Sequence, residues 1–405
     1  MIEGISALEI AQLYGTPCYV YSRAALTQSY QKFAAAFTTH PALICFAVKS
    51  NPNLAVLNLF ARLGSGFDIV SGGELSRVLA AGGSAQKVVF SGVGKSRAEI
   101  TQALLAGILC FNVESAAELD RINEIAGKLQ MRAPVSLRVN PDVDAKTHPY
   151  IATGLKESKF GVAFNEAIAL YQRAKTLKNL TIKGIDCHIG SQLTDIAPFL
   201  AATDRVLALV DALREHGIEL SHIDLGGGLG IPYETHESAP PIEKYASAIL
   251  EKMSGRKESL IFEPGRYLTG NAGFLLTQVE YLKEGQDRHF AIVNAAMNDL
   301  MRPALYSAWH DIIPAQTRDQ PEKIWDIVGP VCESGDFLGR SRSLALMEGD
   351  LLVIRSAGAY GMSMSSNYNT RPRAAEVMID GKNHHLIRER EKINDLFSGE
   401  FCLPL

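Results

Sequence analysis

The 405-residue chain is 47% hydrophobic and 21% charged, with a formal net charge of −4 at pH 7, the make-up of a globular protein of roughly two to three domains. That charge gives no electrostatic case for nucleic acid or an anionic membrane as a partner, and no apolar run approaches the roughly 18 residues that span a bilayer. The start of the chain, with Glu3 close behind Met1, lacks the basic-then-apolar order of a secretion signal.

Six cysteines, at 18, 45, 110, 187, 332 and 402, include no Cys-x-x-Cys pair. They read as reduced thiols rather than as a disulfide framework or a zinc site, and the expected compartment is the cytoplasm. Cys332 stands apart, because Glu333, Ser334, Gly335 and Asp336 follow it directly.

In chain order, Pro17–Tyr21 reads as a strand, expected to pair with the C-terminal part of the chain. A repeating unit follows: a short apolar run, a turn rich in Gly, Ser, Asn or charge, then a helical pattern. The runs are Ala42–Val48, Phe67–Val70, Lys87–Phe90, Ile108–Val113, Val135–Val139, Ile182–Cys187, His222–Leu225 and Ser259–Phe262. Near-continuous apolar runs of this length suit parallel strands buried on both faces. Helices are predicted over Asn53–Leu63, Gly73–Ala81, 97–106, from a capping box at Ser115 and Glu118 onward, and over 164–178, 198–215 and 240–254. Eight strands alternating with helices fit an α/β fold, a (β/α)8 barrel over residues 26–269, better than an open doubly wound sheet. Beyond residue 270 the strands Phe274–Leu282, Arg288–Val293, Lys323–Val328, Leu351–Arg355 and Glu376–Ile379 follow without long helices. Residues 1–25 and 270–405 are therefore expected to form a mostly antiparallel β domain. Segment 142–159, with Asp142, Asp144, Thr147, His148, Thr153, Gly154 and Lys159, suits either a mobile loop or a static stretch.

Active sites of such barrels lie at the C-terminal ends of the strands, and chemistry-bearing residues fall there in nearly every repeat. The first strand ends in Lys49, the second is flanked by Asp68 and Ser71, and the fifth runs through Arg138 into Asn140. His188, with Gly190 and Ser191, ends the sixth, Gly226–Gly228 the seventh, and Glu263-Pro264-Gly265-Arg266 the eighth. A strand-end lysine can snorkel to solvent; at a barrel mouth it is also placed for the desolvation that frees an amine for imine formation. A glycine run lets backbone N–H groups approach an anion. Glu263 reads as a turn carboxylate or as the partner of a pyridine nitrogen. His188 is a core histidine or a ring stacked on a cofactor.

These segments resemble the fold-type III pyridoxal-phosphate decarboxylases through almost the whole chain. The motifs are Phe46-Ala-Val-Lys-Ser-Asn-Pro-Asn53, Asp68-Ile-Val-Ser-Gly-Gly-Glu-Leu75, His188-Ile-Gly-Ser191, Asp224-Leu-Gly-Gly-Gly-Leu-Gly230, Glu263-Pro-Gly-Arg266, Met301-Arg-Pro-Ala-Leu-Tyr306, Gly329-Pro-Val-Cys-Glu-Ser-Gly-Asp336 and Ala357-Gly-Ala-Tyr-Gly361. The resemblance implies pyridoxal 5'-phosphate bound by Lys49 as an imine, with Asp68 among the cofactor-site residues. His188 would stack on the ring and Glu263 meet its nitrogen. Ser191, Gly228, Pro264, Gly265 and Arg266 would lie near the phosphate, and Tyr360 near phosphate and substrate. It also implies a homodimer with shared active sites, Cys332 and Glu333 reaching across from the second subunit. Cys332 is the candidate acid that reprotonates the substrate carbon, with Lys49 as the alternative donor.

The expected substrate is an amino acid carrying both an ammonium and a carboxylate at its far end, meso-2,6-diaminopimelate, decarboxylated to L-lysine. Arg302 and Tyr306, four residues apart, can share a helical face and donate to that carboxylate. Arg266 offers a second guanidinium and Glu333 an acceptor for the distal ammonium. Alternatives are a decarboxylase of ornithine, lysine, arginine or carboxynorspermidine, an amino-acid racemase, and a non-catalytic pyridoxal-phosphate-binding protein.

Overall fold

The structure, a computed structural model, describes residues 1–143, 159–234 and 236–404. Most of segment 142–159, including Asp144, Thr147, His148, Thr153 and Gly154, lies outside the described residues. The chain divides into two compact units, one of Ser29–Ile231 and Ser238–Tyr267, the other of Met1–Gln28, Pro232–Glu237 and Leu268–Leu405.

After β1 (Cys18–Ser22) come β2 (Ala42–Ala47), β3 (Gly66–Ile69), β4 (Val88–Phe90), β5 (Cys110–Val113), β6 (Ala133–Asn140), the short β7 (Val162–Ala163), β8 (Leu180–Asp186), β9 (His222–Asp224) and β10 (Ser259–Phe262). Every pairing from β2 through β10 is parallel. Leu260 of β10 pairs with Ala42 of β2, so that, with β7 on the side of β6, eight strands close into a barrel. Each of the eight predicted apolar runs becomes one of these strands.

The helices between them start where side chains can satisfy their first N–H groups. Asn53 caps Leu54–Arg62 by accepting from Ala55 N, and Ser71 caps Gly72–Ala80 by accepting from Glu74 N. Ser115 caps Ala116–Lys128 through Glu118 N, but the predicted reciprocal half of that capping box is missing. The Glu118 carboxylate instead takes Glu114 N at 2.9 Å and pairs with the buried Lys95 at 2.6 Å. The complete capping box belongs to Ser96 and Glu99, at the head of Arg97–Ala106. Outside the barrel wall, Phe262 packs against Phe37 (ring centroids 4.2 Å apart), Phe33 and Tyr245. Inside, single polar residues interrupt the apolar strands: Asp68, Asn112, Arg138, Asp186 and Asp224, all buried.

The second unit holds β11 (Gly273–Glu284), β12 (His289–Val293), β13 (Ile312–Pro314), β14 (Lys323–Val328), β15 (Phe337–Leu344), β16 (Leu351–Ile354), β17 (Ala375–Asp380) and β18 (Asn383–Arg388). The sheet order is β15-β14-β12-β11-β1-β17-β18, with β16 beside β11 and β13. Among the described residues of this sheet, only β1–β17 and β12–β14 run parallel, so the mostly antiparallel expectation holds. The N-terminal strand joins this sheet, Cys18 facing Leu276 on one side and Ala375 on the other. Its core gathers Ile10, Val20, Leu276, Val353 and Val377. Three strands lack a sequence counterpart. β15 is interrupted by register shifts against β14, β13 is three residues ending in proline, and β18 is an edge strand with no buried residue. None of them is an unbroken apolar run. No helix among the described residues is long and apolar enough to cross a membrane.

Candidate active site

In the barrel unit, Lys49 sits in the turn Val48–Ser50 that follows β2. Asp68, on the neighbouring strand and opposite Ala47, is wholly buried, and its Oδ2 lies 2.6 Å from Lys49 Nζ. The lysine side chain keeps 37% of its surface exposed, so the amine is held by a fixed carboxylate while remaining reachable. Glu263 immediately follows β10, the strand on the other side of β2.

Beneath these residues the strand ends concentrate acid groups. Asp186 ends β8, Asp224 ends β9, and with Glu263 they bring one carboxyl oxygen each to within 4.8 Å of one another. Burial raises all three carboxyls, Asp224 to about 6. Crowded and buried together, Asp224 and Glu263 favour holding a proton over each carrying a charge. Ser91 Oγ and Asn112 Nδ2 each donate to Glu263 Oε1 at 3.4 Å, and Gly226 N donates to Asp224 Oδ1 at 2.9 Å. Arg138 lies 3.2 Å from Glu114 and 3.8 Å from Asp186.

His188 accepts from Gly227 N through Nδ1 at 3.2 Å, so its remaining proton belongs on Nε2. Desolvation, with Arg138 and Lys49 nearby, pushes its pKa well down and keeps the ring neutral. The turns after β8, β9 and β10 meet at this end of the barrel. Gly228 adopts φ +112°, and a Cβ there would come within 2.5 Å of Gly190 O. A Cβ on Gly265 would meet Ser50 at 2.9 Å. Arg266, itself buried, donates to Ser191 Oγ from Nε at 3.3 Å and Nη2 at 3.1 Å, and Pro264 O accepts from Ala47 N. The fold thus brings Lys49, Asp68, His188, Ser191, Gly228, Glu263, Pro264, Gly265 and Arg266 to one end of the barrel. An amine, a neutral ring, a protonated carboxyl pair and a donor-lined glycine cradle are the parts needed to hold a small aromatic anion carrying a carbonyl.

In the second unit, Arg302 opens and Tyr306 closes a five-residue helix. Arg302 is buried rather than a surface cation. Its Nη1 lies 2.7 Å from His310 Nε2, and its Cζ lies 4.3 Å from the Tyr233 ring centroid. Cys332 and Glu333 are exposed on a turn held by Asp336, whose carboxylate accepts from Met297 N at 2.6 Å and Val331 N at 2.8 Å. Tyr360 has φ 55°, a left-handed conformation uncommon outside glycine. Asp224, Asp186, Asn112, Glu114, Tyr233 and His310 carry no role in the sequence reading. For the barrel residues a signal was present: polar side chains interrupt several of the apolar strands, as Asp68, Asn112, Arg138, Asp186 and Asp224 do.

Residues 23–270 match the family model of the pyridoxal-dependent decarboxylase, pyridoxal binding domain. Over 403 residues the chain is 57% identical to a diaminopimelate decarboxylase of Vibrio cholerae, covering 99% of this chain and 96% of that one. It is 58% identical over 402 residues to one of Pseudomonas aeruginosa, covering 99% and 97%. The crystal structure of diaminopimelate decarboxylase from Helicobacter pylori complexed with L-lysine superposes with a TM-score of 0.94 at 43% identity, covering 97% of this chain and 98% of that one.

Proposed function

The chain belongs to the pyridoxal-dependent decarboxylases, and we propose that it removes one carboxylate, as carbon dioxide, from meso-2,6-diaminopimelate and leaves L-lysine. The observation that carries this reading is the juxtaposition of an anchored amine, Lys49, and a buried carboxyl, Glu263, at the ends of adjacent barrel strands.

Pyridoxal 5'-phosphate fits the residues around them. Lys49 offers the amine that an aldehyde needs, Glu263 the acid partner for a pyridine nitrogen, and His188 a ring of fixed tautomer to stack. Ser191, Gly228, Gly265 and Arg266 supply donors and close backbone approach for a phosphate. Asp68 Oδ1 and Asn112 Oδ1 are buried without a hydrogen-bond partner among the described residues, as befits polar groups lining a place built for a further molecule. When bound, the cofactor supplies an electron-withdrawing ring that accepts the electrons left by the departing carboxylate.

The chain's own groups do the rest. Asp68 positions Lys49 Nζ, and Asp224 with Glu263 keeps an acidic proton at the bottom of the site. Cys332 is the candidate donor that returns a proton to the substrate carbon, with Lys49 as the alternative. Arg302 and Tyr306 receive the distal carboxylate, Arg266 and Tyr360 serve cofactor and substrate together, and Glu333 accepts from the distal ammonium. A substrate lacking that carboxylate forgoes its charge-assisted hydrogen bonds with Arg302 and is disfavoured. We also infer a homodimer in the cytoplasm. Cys332 and Glu333, exposed on one turn of the single chain, are groups that a second copy would enclose, and sedimentation at the monomer mass would contradict that assembly.

The test is carbon dioxide release by the holoenzyme from meso-diaminopimelate, ornithine and alanine. Turnover of diaminopimelate alone is expected, lost in Lys49→Ala together with the absorbance of the lysine-bound cofactor. Turnover of ornithine without diaminopimelate would overturn the substrate, and cofactor absorbance unchanged in Lys49→Ala would overturn the site.

A further inference from the structure

Arg302 is fixed by more than the short helix it begins. His310 is fully buried, and its Nδ1 lies 2.8 Å from the backbone carbonyl oxygen of Arg355. A carbonyl can only accept, so Nδ1 carries the ring proton. Nε2 therefore turns a lone pair toward Arg302 Nη1, which donates to it at 2.7 Å. A proton on Nε2 would instead set an N–H against a guanidinium N–H. Tyr233 closes a further side, its ring 4.3 Å from Arg302 Cζ and edge-on to His310 at 5.2 Å and 80°. The main chain behind the imidazole is tied down as well, since Arg342 Nη2 donates to His310 O at 2.9 Å. A guanidinium offers five N–H groups in a rigid fork. With one committed to His310 and its face against Tyr233, the direction of the remaining donors is set before any ligand arrives, which removes part of the ordering cost of binding.

We propose that His310 is a positioning residue for substrate recognition: its neutral imidazole, donating to the Arg355 carbonyl and accepting from Arg302, holds the guanidinium in the orientation that receives the substrate's distal carboxylate. The proposal rests on the reading of Arg302 as that carboxylate's partner. It gives the neutral tautomer of one buried histidine a task in choosing the substrate, although the imidazole itself takes no part in the chemistry.

Two conservative substitutions separate the two hydrogen bonds of the ring. In His310→Asn the amide reaches the Nδ1 position, keeping the bond to Arg355 while losing the acceptor for Arg302. In His310→Gln the amide oxygen reaches the Nε2 position and keeps that acceptor. The holoenzymes are compared for KM and kcat on meso-diaminopimelate, and for inhibition by L-lysine and by 1,5-diaminopentane, which is lysine without its carboxylate. For His310→Asn, KM and the inhibition constant of L-lysine are expected to rise about tenfold or more, the loss of one charge-assisted hydrogen bond. Its kcat should change by less than about threefold, inhibition by 1,5-diaminopentane should be unaltered, and His310→Gln should stay within about threefold of the parent throughout. Equal behaviour of His310→Asn and the parent would overturn the proposal, as would a parallel loss of KM, kcat and diaminopentane inhibition in both variants, the mark of a purely structural role. Arg302→Met separates the two readings. If it leaves inhibition by L-lysine unchanged, the assignment of Arg302 fails. If it weakens that inhibition while His310→Asn does not, only the role of His310 fails.

Discussion

Asp224 shows how a single buried carboxyl couples chemistry to stability. Its pKa rises from the ordinary aspartate value to about 6, chiefly by burial, so the folded protein keeps a proton that the unfolded chain gives up above about pH 4. A raised carboxyl contributes nothing below the unfolded pKa, where both states are protonated. It costs stability increasingly as pH climbs toward 6 and a constant amount above that. Asp224→Asn removes this cost while keeping an acceptor for Gly226 N. The variant lacking cofactor should therefore be more stable than the parent by about 1–3 kcal/mol at pH 8, with the difference gone by pH 4. Urea denaturation across that range checks it, and a variant less stable than the parent at pH 8 contradicts the protonated pair. Lys49 and Glu263 were legible because each abruptly ends an apolar run. Asp224 lies in the glycine-rich segment Asp224–Gly230 without a legible task, because its neighbour in space, Glu263, is 39 positions further on. His310 left no trace, since its meaning depends on the carbonyl of Arg355 and the ring of Tyr233.

The elements that carry the site are the turns following the barrel strands, and the turn after β9 has the least freedom. Gly228 combines φ +112° with a Cβ position 2.5 Å from Gly190 O, so an added methyl must displace the neighbouring turn that bears Ser191. Gly228→Ala should cost about 1–3 kcal/mol of stability and weaken cofactor affinity by about tenfold or more, measured by equilibrium titration of the cofactor-free protein. Unchanged affinity would remove this turn from the cofactor's phosphate site. Strands surrounded by helices were readable, because burial on both faces favours near-continuous apolar runs. β15 and β18 were not, because one is interrupted by register shifts and the other is an edge strand with no buried residue. The half-formed cap at Ser115 has the same physical origin. A sequence pattern offers Glu118 to its own helix, and the buried Lys95 outbids it.

For the molecule as a whole, barrel closure is a pairing between residues near 42 and residues near 260, which alternation of strands and helices implies without stating the strand order. The place of the N-terminal strand between β11 and β17 depends on contacts hundreds of residues away. The proposed role of Arg302 in substrate choice is likewise a matter of the folded chain, because its orientation is set by His310 and Tyr233 rather than by its sequence neighbours. The carboxylate that leaves is the one whose loss yields L-lysine, and the one retained belongs to the L-centre. The direct measurement uses meso-diaminopimelate carrying carbon-13 only in the carboxyl of its D-centre, turned over by the holoenzyme. All label is expected in carbon dioxide, with unlabelled L-lysine formed in equal amount. Label retained in the lysine, or diaminopimelate recovered intact while lysine itself is decarboxylated, would contradict the assignment.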